Sequence, residues 1–281
     1  MPFTVALPFF DPYKIALSGQ AFRIHPIDDQ RTETVAMGRY LQIVSLGDDR
    51  FLFSCSKDEF EKIWKGYFDL DRDYEDIVRS IDPEDFYLNE AAAFGRGIRI
   101  LRQEPVETII SYIISQRRSI PSITTCVDRL CELCGAKIIP PALPEPFAAP
   151  LKDCYYAFPS VDALKTLTTE DLLGIGTGYR APYIMSAIND ISSGKLIPEA
   201  MAELSDDDLY KVLTSMYGVG KKVADCVMLF AFHRTGRFPI DVWMQRICDR
   251  YYDGLFDVSK YPGTAGIMQQ FMFYYERNRK D

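Results

Sequence analysis

Two glycine-bracketed breaks between helix-forming stretches constrain this chain more than any other feature. LTTEDLLGIGTGYR (residues 167–180) and LSDDDLYKVLTSMYGVGKK (204–222) each begin with a Ser or Thr cap, place acids in the first turn, run apolar and stop at Gly-x-Gly. In the second, Gly218 and Gly220 bracket a tight link into a further helix, VADCVMLFAFHR, which makes residues 205–232 a helix-hairpin-helix. Glycines there let the backbone approach a neighbour closely, and the free N–H groups opening the second helix suit a phosphate. Taken alone, a Gly-x-Gly favours the plainer reading of two packed helices.

The second helix opens with Lys221 and Lys222. A helix N-terminus already carries about half a positive charge, so each lysine there costs roughly 0.3 kcal/mol or more unless something uses it. Lys222 and Cys226 are four apart and share a face with apolar Val223, Val227 and Phe230 around it. An amine partly out of water beside a second cation is disposed to shed its proton and act as a nucleophile. Downstream, RFPIDVWMQRI sets Asp241 after a short extended run and at a helix start, an N-cap that can also accept a proton or steady a developing cation.

With 281 residues and 47% hydrophobic content, the chain can fill one large domain or two ordinary ones. No apolar run approaches a membrane span, and MPFTVALPFFDPYK lacks the basic start and cleavage site of a secretory signal, so a cytoplasmic location without a membrane partner is expected. Seven scattered cysteines, an odd number, argue for thiols rather than a disulfide framework. Cys131 and Cys134 form a C-x-x-C with no second pair or histidine to complete a metal site. DLDRDYED (69–76) resembles a calcium loop, but Tyr74 and Ser80 stand where the glycine and the bidentate acid belong. The reading therefore contains no metal and no cofactor. The net charge of −8 speaks against nucleic acid until its distribution is considered. Residues 48–90 hold 14 acids against 6 bases and so account for the whole excess, whereas 211–250 hold 7 Lys/Arg against 3 Asp. A local basic face is what phosphate contact needs.

Residues 31–55 are short runs rich in Val, Ile, Phe, Tyr and Thr broken at Gly-Arg and Gly-Asp-Asp, an antiparallel meander. From about Asp58 the period turns helical, and from Glu104 nearly everything reads as helix and loop, apart from a proline-rich excursion between Cys134 and Pro159. The fold class is α+β, with an N-terminal antiparallel sheet domain over 1–92 and an all-helical domain over 93–281.

YGVGKKVADC followed by FPIDVW resembles the hairpin and aspartate signature of the base-excision DNA glycosylases of the helix-hairpin-helix superfamily. SGQAFR (18–23), RILRQEPVETIISYIISQ (99–116), GTGYRAPY (176–183) and AGIMQQFMF (265–273) narrow the resemblance to the 8-oxoguanine DNA glycosylases, over nearly the whole chain. The resemblance implies a flipped-out base, a lysine Schiff base and strand cleavage by β-elimination. It matches Lys222 to the catalytic lysine and Asp241 to the family's aspartate. Gly19 falls where a backbone carbonyl accepts the N7 hydrogen of 8-oxoguanine, Gln269 where the Watson–Crick edge is read, and Phe273 and Cys226 where the ring is sandwiched. Tyr179 and Arg180 match the wedge and the reach to the orphaned opposite base, while Arg117, Gly218, Gly220 and Lys221 fall on the DNA-binding side. Arg117, Arg118 and Ser119 stand where an asparagine run is common, Ser122 where a cytosine-reading arginine is found, and Trp243 in place of a phosphate-contacting histidine. No opposite-base preference carries over. The implied partner is double-stranded DNA with a damaged purine, bound by a monomer, at the nucleoid in a bacterial cell. Two other readings stay open: a monofunctional alkylpurine (3-methyladenine type) glycosylase, with Lys222 on phosphate, and a noncatalytic DNA-binding module.

Overall fold

In the computed structural model, which describes residues 1–279, the predicted meander is the centre of a five-stranded antiparallel sheet. Strands β1 (Phe3–Ala6), β2 (Ile24–Pro26), β3 (Arg31–Ala36), β4 (Arg39–Ser45) and β5 (Arg50–Phe53) lie in the order β1-β5-β4-β3-β2. Met37 and Gly38, both at positive φ, turn β3 into β4 with Ala36 opposite Arg39. One sheet face buries Leu41, Ile43 and Phe53 against Phe60, Trp64 and Phe68 of the helical run that follows. The proline-rich excursion covers the other. Its Ala148 exchanges hydrogen bonds with the Gln42 side chain (2.8 and 3.2 Å), and buried Glu33 accepts from Tyr40 Oη (3.0 Å), the Leu151 N–H (3.2 Å) and Tyr155 Oη. β3 and β4 are therefore buried on both faces.

Two features depart from the expected layout. The excursion contains a short antiparallel pair, β6 (Lys137–Ile138) and β7 (Tyr155–Tyr156), so the region after residue 92 is not wholly helical. Gly135 permits it, because a Cβ there would lie 2.1 Å from the Ala157 carbonyl. The change of core also comes before residue 92. The sheet's apolar cluster runs to Phe68 and takes in Leu101, whereas most buried apolar residues from Tyr74 onward, Leu88, Ala91 and Ala92 included, belong to the larger helical cluster.

The two cores are tied at Asp69, which is 3% exposed. Burial by itself would raise its pKa, but hydrogen bonds from His233 and Arg102 prevail and hold it below the usual carboxylate range. Arg102 Nη2 stands 2.8 Å from Oδ1, with Arg72 Nε 3.2 Å and His233 Nε2 3.3 Å from Oδ2. Asp71 pairs with Lys65 at the surface, and Asp73 caps a helix by accepting from the Asp76 N–H.

At the middle of the helical layer lies Pro105–Ser115, apolar almost all round and buried from Thr108 to Ile114. A helix of that composition is stable only when surrounded. Lys221–Phe230, Ile120–Cys134 and Ala181–Ser192 pack on it, and Tyr112 stacks on Phe230 with ring centroids 5.6 Å apart. The second hairpin helix is thereby seated on a helix buried at the centre of the layer.

Candidate active site

Ser205 caps the first hairpin helix, Asp206–Ser215, accepting from the Asp208 N–H at 3.2 Å, and Thr168 does the same for Thr169–Gly174 in a reciprocal capping box with Asp171. The two hairpin glycines have different tasks. Gly218 sits at φ +81°, and a Cβ there would fall 2.2 to 2.7 Å from the Tyr183 ring; its carbonyl accepts from Gln116 Nε2 at 3.0 Å. Gly220, the N-cap of Lys221–Phe230, has extended backbone and provides no side-chain cap, and a Cβ on it meets nothing within 4 Å. No protein neighbour therefore requires a glycine at 220.

Lys221 is exposed at the head of that helix and Lys222 half-buried beneath it. The Lys222 Nζ lies 5.3 Å from the Tyr112 ring centroid, on the ring's negative face. Cys226, one turn on, is 3% exposed. Burial pushes its thiol pKa up while the nearby Lys222 amine opposes, so it is a neutral wall rather than a nucleophile. Burial likewise raises the Tyr112 phenol, with Cys226 and Asp241 adding to the effect. Asp241 N-caps Val242–Tyr251 through one oxygen, Oδ1, which accepts from the N–H groups of Trp243 and Met244 at 2.9 Å each. Among the described residues Oδ2 has no protein donor. Lysine, thiol, phenol and carboxylate thus converge, as the sequence spacing requires for the lysine and thiol and permits for the carboxylate.

The second wall comes from the ends of the chain. Gln20, fully buried, holds its loop by exchanging hydrogen bonds with the Arg99 carbonyl (2.9 Å) and the Leu101 N–H (2.8 Å), while its own carbonyl accepts from Tyr112 Oη (3.1 Å). That fixes Gly19 at φ +75°, and an added Cβ would stand 3.0 Å from Ile120 Cδ1 and 3.2 Å from Phe273 Cε1. Among the described residues the Gly19 carbonyl accepts no hydrogen bond. Gln269 and Phe273 share a face of the Ala265–Asn278 helix; Gln269 is 5% exposed, and its Oε1 accepts from Gln270 Nε2 at 3.2 Å.

Beside the hairpin, the loops at 116–119 and 176–180 share its face. Tyr179 is half exposed at 53%. Arg117 is exposed at φ +53°, a conformation that costs a side chain other than Asn or Asp about 1 kcal/mol. Arg180 departs from the expected reach to an opposite base. It is 5% exposed, with Nε (3.0 Å) and Nη2 on the Gln116 carbonyl, Nη1 on the Thr177 carbonyl (3.2 Å), and the guanidinium 4.2 Å from the Tyr179 ring centroid. Its charge is spent satisfying loop carbonyls and bracing Tyr179. Sequence reasoning also missed Tyr112 and Gln116, although both lie in the quoted SYIISQ. A polar-headed aromatic inside an otherwise aliphatic buried helix was the available signal.

A lysine on the second helix of such a hairpin, faced by a carboxylate that caps the next helix, places this molecule among the helix-hairpin-helix DNA glycosylases. The family model described as 8-oxoguanine DNA glycosylase, N-terminal domain, matches residues 4–109. A probable N-glycosylase/DNA lyase of Methanothermobacter thermautotrophicus is 30% identical over 229 residues, 75% of this chain and 72% of that protein. The N-glycosylase/DNA lyase of Saccharomyces cerevisiae is 32% identical over 228 residues, but there the match spans only 55% of the relative's length. The Clostridium acetobutylicum 8-oxoguanine glycosylase/lyase, solved with double-stranded DNA carrying cytosine opposite 8-oxoguanine, superposes with a TM-score of 0.88 at 31% identity, covering 99% of this chain and 97% of that one. The chain belongs to the 8-oxoguanine DNA glycosylase family.

Proposed function

We propose that this protein excises 8-oxoguanine from duplex DNA by base flipping and then cleaves the strand as an abasic-site lyase. The observation that carries the reading is the half-buried Lys222 amine, held between Tyr112 and Cys226 at the head of the hairpin's second helix with Asp241 near it. In this reading the amine bonds to C1′ of the everted nucleotide and sheds a proton while the base leaves with the glycosidic electron pair. The C1′–O4′ bond then breaks, its electrons pass to O4′, which takes up a proton, and the nitrogen lone pair forms the C1′ double bond of a protonated Schiff base. Loss of a C2′ proton then expels the 3′ phosphate. The protein acts as a monomer, since every proposed group comes from one chain. Among the described residues no helix is long and apolar enough to cross a membrane.

Base selection is assigned to Gly19 and Gln269. 8-Oxoguanine carries a hydrogen on N7 that the free Gly19 carbonyl can accept; guanine presents a lone pair there and is repelled, the strong form of discrimination by unpaired polar groups. Phe273 and Cys226 take the two ring faces. Gln269→Ala is expected to slow 8-oxoguanine excision by on the order of ten- to a hundredfold while changing affinity for undamaged duplex little. Single-turnover rates and binding titrations on matched duplexes measure both, and equal losses would refute the assigned pocket.

The hairpin is assigned to phosphate, with N–H groups and Lys221 at the helix start. The two glycines separate fold from binding. Gly218→Ala forces an alanine into left-handed backbone against Tyr183 and is expected to destabilise the protein by about 3 kcal/mol. Gly220→Ala, which meets no protein atom, should cost under about 1 kcal/mol yet weaken duplex binding severalfold. Thermal melts beside fluorescence anisotropy decide it; unimpaired binding by Gly220→Ala would remove DNA from that face.

Sodium borohydride reduction during reaction with an 8-oxoguanine duplex tests the whole reading, because only an imine between the sugar and a protein amine is captured as a covalent protein–DNA adduct. Base release without an adduct would favour a monofunctional glycosylase in which Asp241 activates water and Lys222 binds phosphate.

A further inference from the structure

One cation at the candidate site has no task in this scheme. Arg277 lies in the last turn of Ala265–Asn278, one turn beyond Phe273 and two beyond Gln269, so the three side chains line one helix face. Its guanidinium carbon stands 5.2 Å from the Phe273 ring centroid, and its Nη1 would be 3.3 Å from a Cβ placed on Gly19. The side chain therefore bridges the two proposed base-reading elements at the rim of the site. Its neighbours Arg250 and Arg279 both pair with Glu276; among the described residues Arg277 makes no ion pair and no hydrogen bond. Partial loss of water lowers its pKa and the Asp241 carboxylate counters, which places the guanidinium within the field of the site's acid.

We infer that Arg277 grips a phosphate flanking the everted nucleotide, an inference that rests on the base-flipping reading above. A guanidinium holds five donors and no acceptor. The base edge turned towards Gly19 offers an N7–H donor, which a guanidinium repels. A nucleotide swung out of the stack brings its own flanking phosphates to the mouth of the pocket, and they are the only anions it carries. The planar fork matches two phosphate oxygens. A phosphate drawn to this rim would otherwise be repelled by Asp241, and a fixed cation between them relieves that repulsion without protonating the acid.

The test pairs Arg277→Ala and Arg277→Lys with duplexes in which one phosphate beside 8-oxoguanine, on the 5′ or the 3′ side, is replaced by neutral methylphosphonate. Arg277→Ala is expected to weaken binding on the order of ten- to a hundredfold and to reduce the slope of log K against log salt by about 0.9, the share of one phosphate; lysine recovers part of the loss. Methylphosphonate at the gripped position should bring the parent protein down to the level of Arg277→Ala and cost that variant little more. Losses that multiply at both positions, or an unchanged salt slope, would overturn the inference. So would a loss confined to 8-oxoguanine and absent with guanine in the same duplex, which would assign Arg277 to the O8 atom. Borohydride trapping by the parent protein on the same duplexes keeps the cases apart. An adduct, or base release without one, together with no Arg277 effect rejects only the phosphate grip, whereas neither adduct nor base release rejects the base-flipping reading on which it stands.

Discussion

Lys222→Ala is expected to abolish the borohydride-trapped adduct and to slow base excision by at least about a thousandfold, because loss of an attacking nucleophile removes a bond-forming step and not merely a contact. The same substitution should leave stability almost unchanged. Removing a cation from the first turn of Lys221–Phe230 relieves about 0.3–1 kcal/mol of repulsion with the helix dipole. Losing the interaction with Tyr112, whose ring centroid is 5.3 Å from Nζ, forfeits a similar amount. The two offset, so a melting temperature within a few degrees of the parent is predicted alongside a dead enzyme. Quantitative trapping on a duplex with a preformed abasic site, read on a denaturing gel, separates the outcomes. A surviving adduct would mean that another amine does the chemistry, and full base release with no adduct would turn the lysine into a phosphate contact. Lys222→Gln keeps the helix propensity and should behave like the alanine variant.

That pairing of high functional cost with low structural cost is what the sequence itself suggested. Two lysines at a helix start are unfavourable on electrostatic grounds, and a residue kept against local preference marks a site. Features set by neighbours in sequence were legible in the same way: the Ser205 and Thr168 caps, the left-handed glycine at 218, the Asp241 cap and the β3–β4–β5 meander all follow from residues a few positions apart. Features set by distant partners were not. β1 is four residues long and gains its place by pairing with β5, and β2 is three residues ending in a proline, neither with a pattern of its own. The proline-rich excursion read as a loop because nothing in its composition announces the buried Glu33 and Gln42 that it satisfies more than 100 residues away. The inward turn of Arg180 had no local signal, since the Gln116 carbonyl that claims it lies 64 residues upstream. Tyr112 reaches Gln20 across 92 positions, and Arg277 meets Gly19 only once the two ends of the chain come together.

Asp241→Asn isolates charge from architecture at the remaining reactive group. Asparagine caps helices about as well as aspartate, and its Oδ1 can keep both bonds to the Trp243 and Met244 N–H groups. The fold should therefore lose under about 1 kcal/mol, the part due to an anion at a helix N-terminus. Chemistry should suffer far more, because the oxygen free of the cap becomes an NH₂ that can neither accept a proton nor stabilise positive charge. A fall in single-turnover base excision on the order of 10²–10⁴ is expected. A preformed abasic site then tells the two uses of the carboxylate apart. If Asp241 chiefly takes the lysine proton, imine formation on abasic DNA slows in step with excision; if it chiefly stabilises the sugar cation as the base departs, trapping on abasic DNA persists while excision fails. An Asp241→Asn protein that excises at the parent rate would leave the carboxylate with capping alone, and the proximity of Lys222 and Asp241 would then be a consequence of packing the hairpin against the following helix.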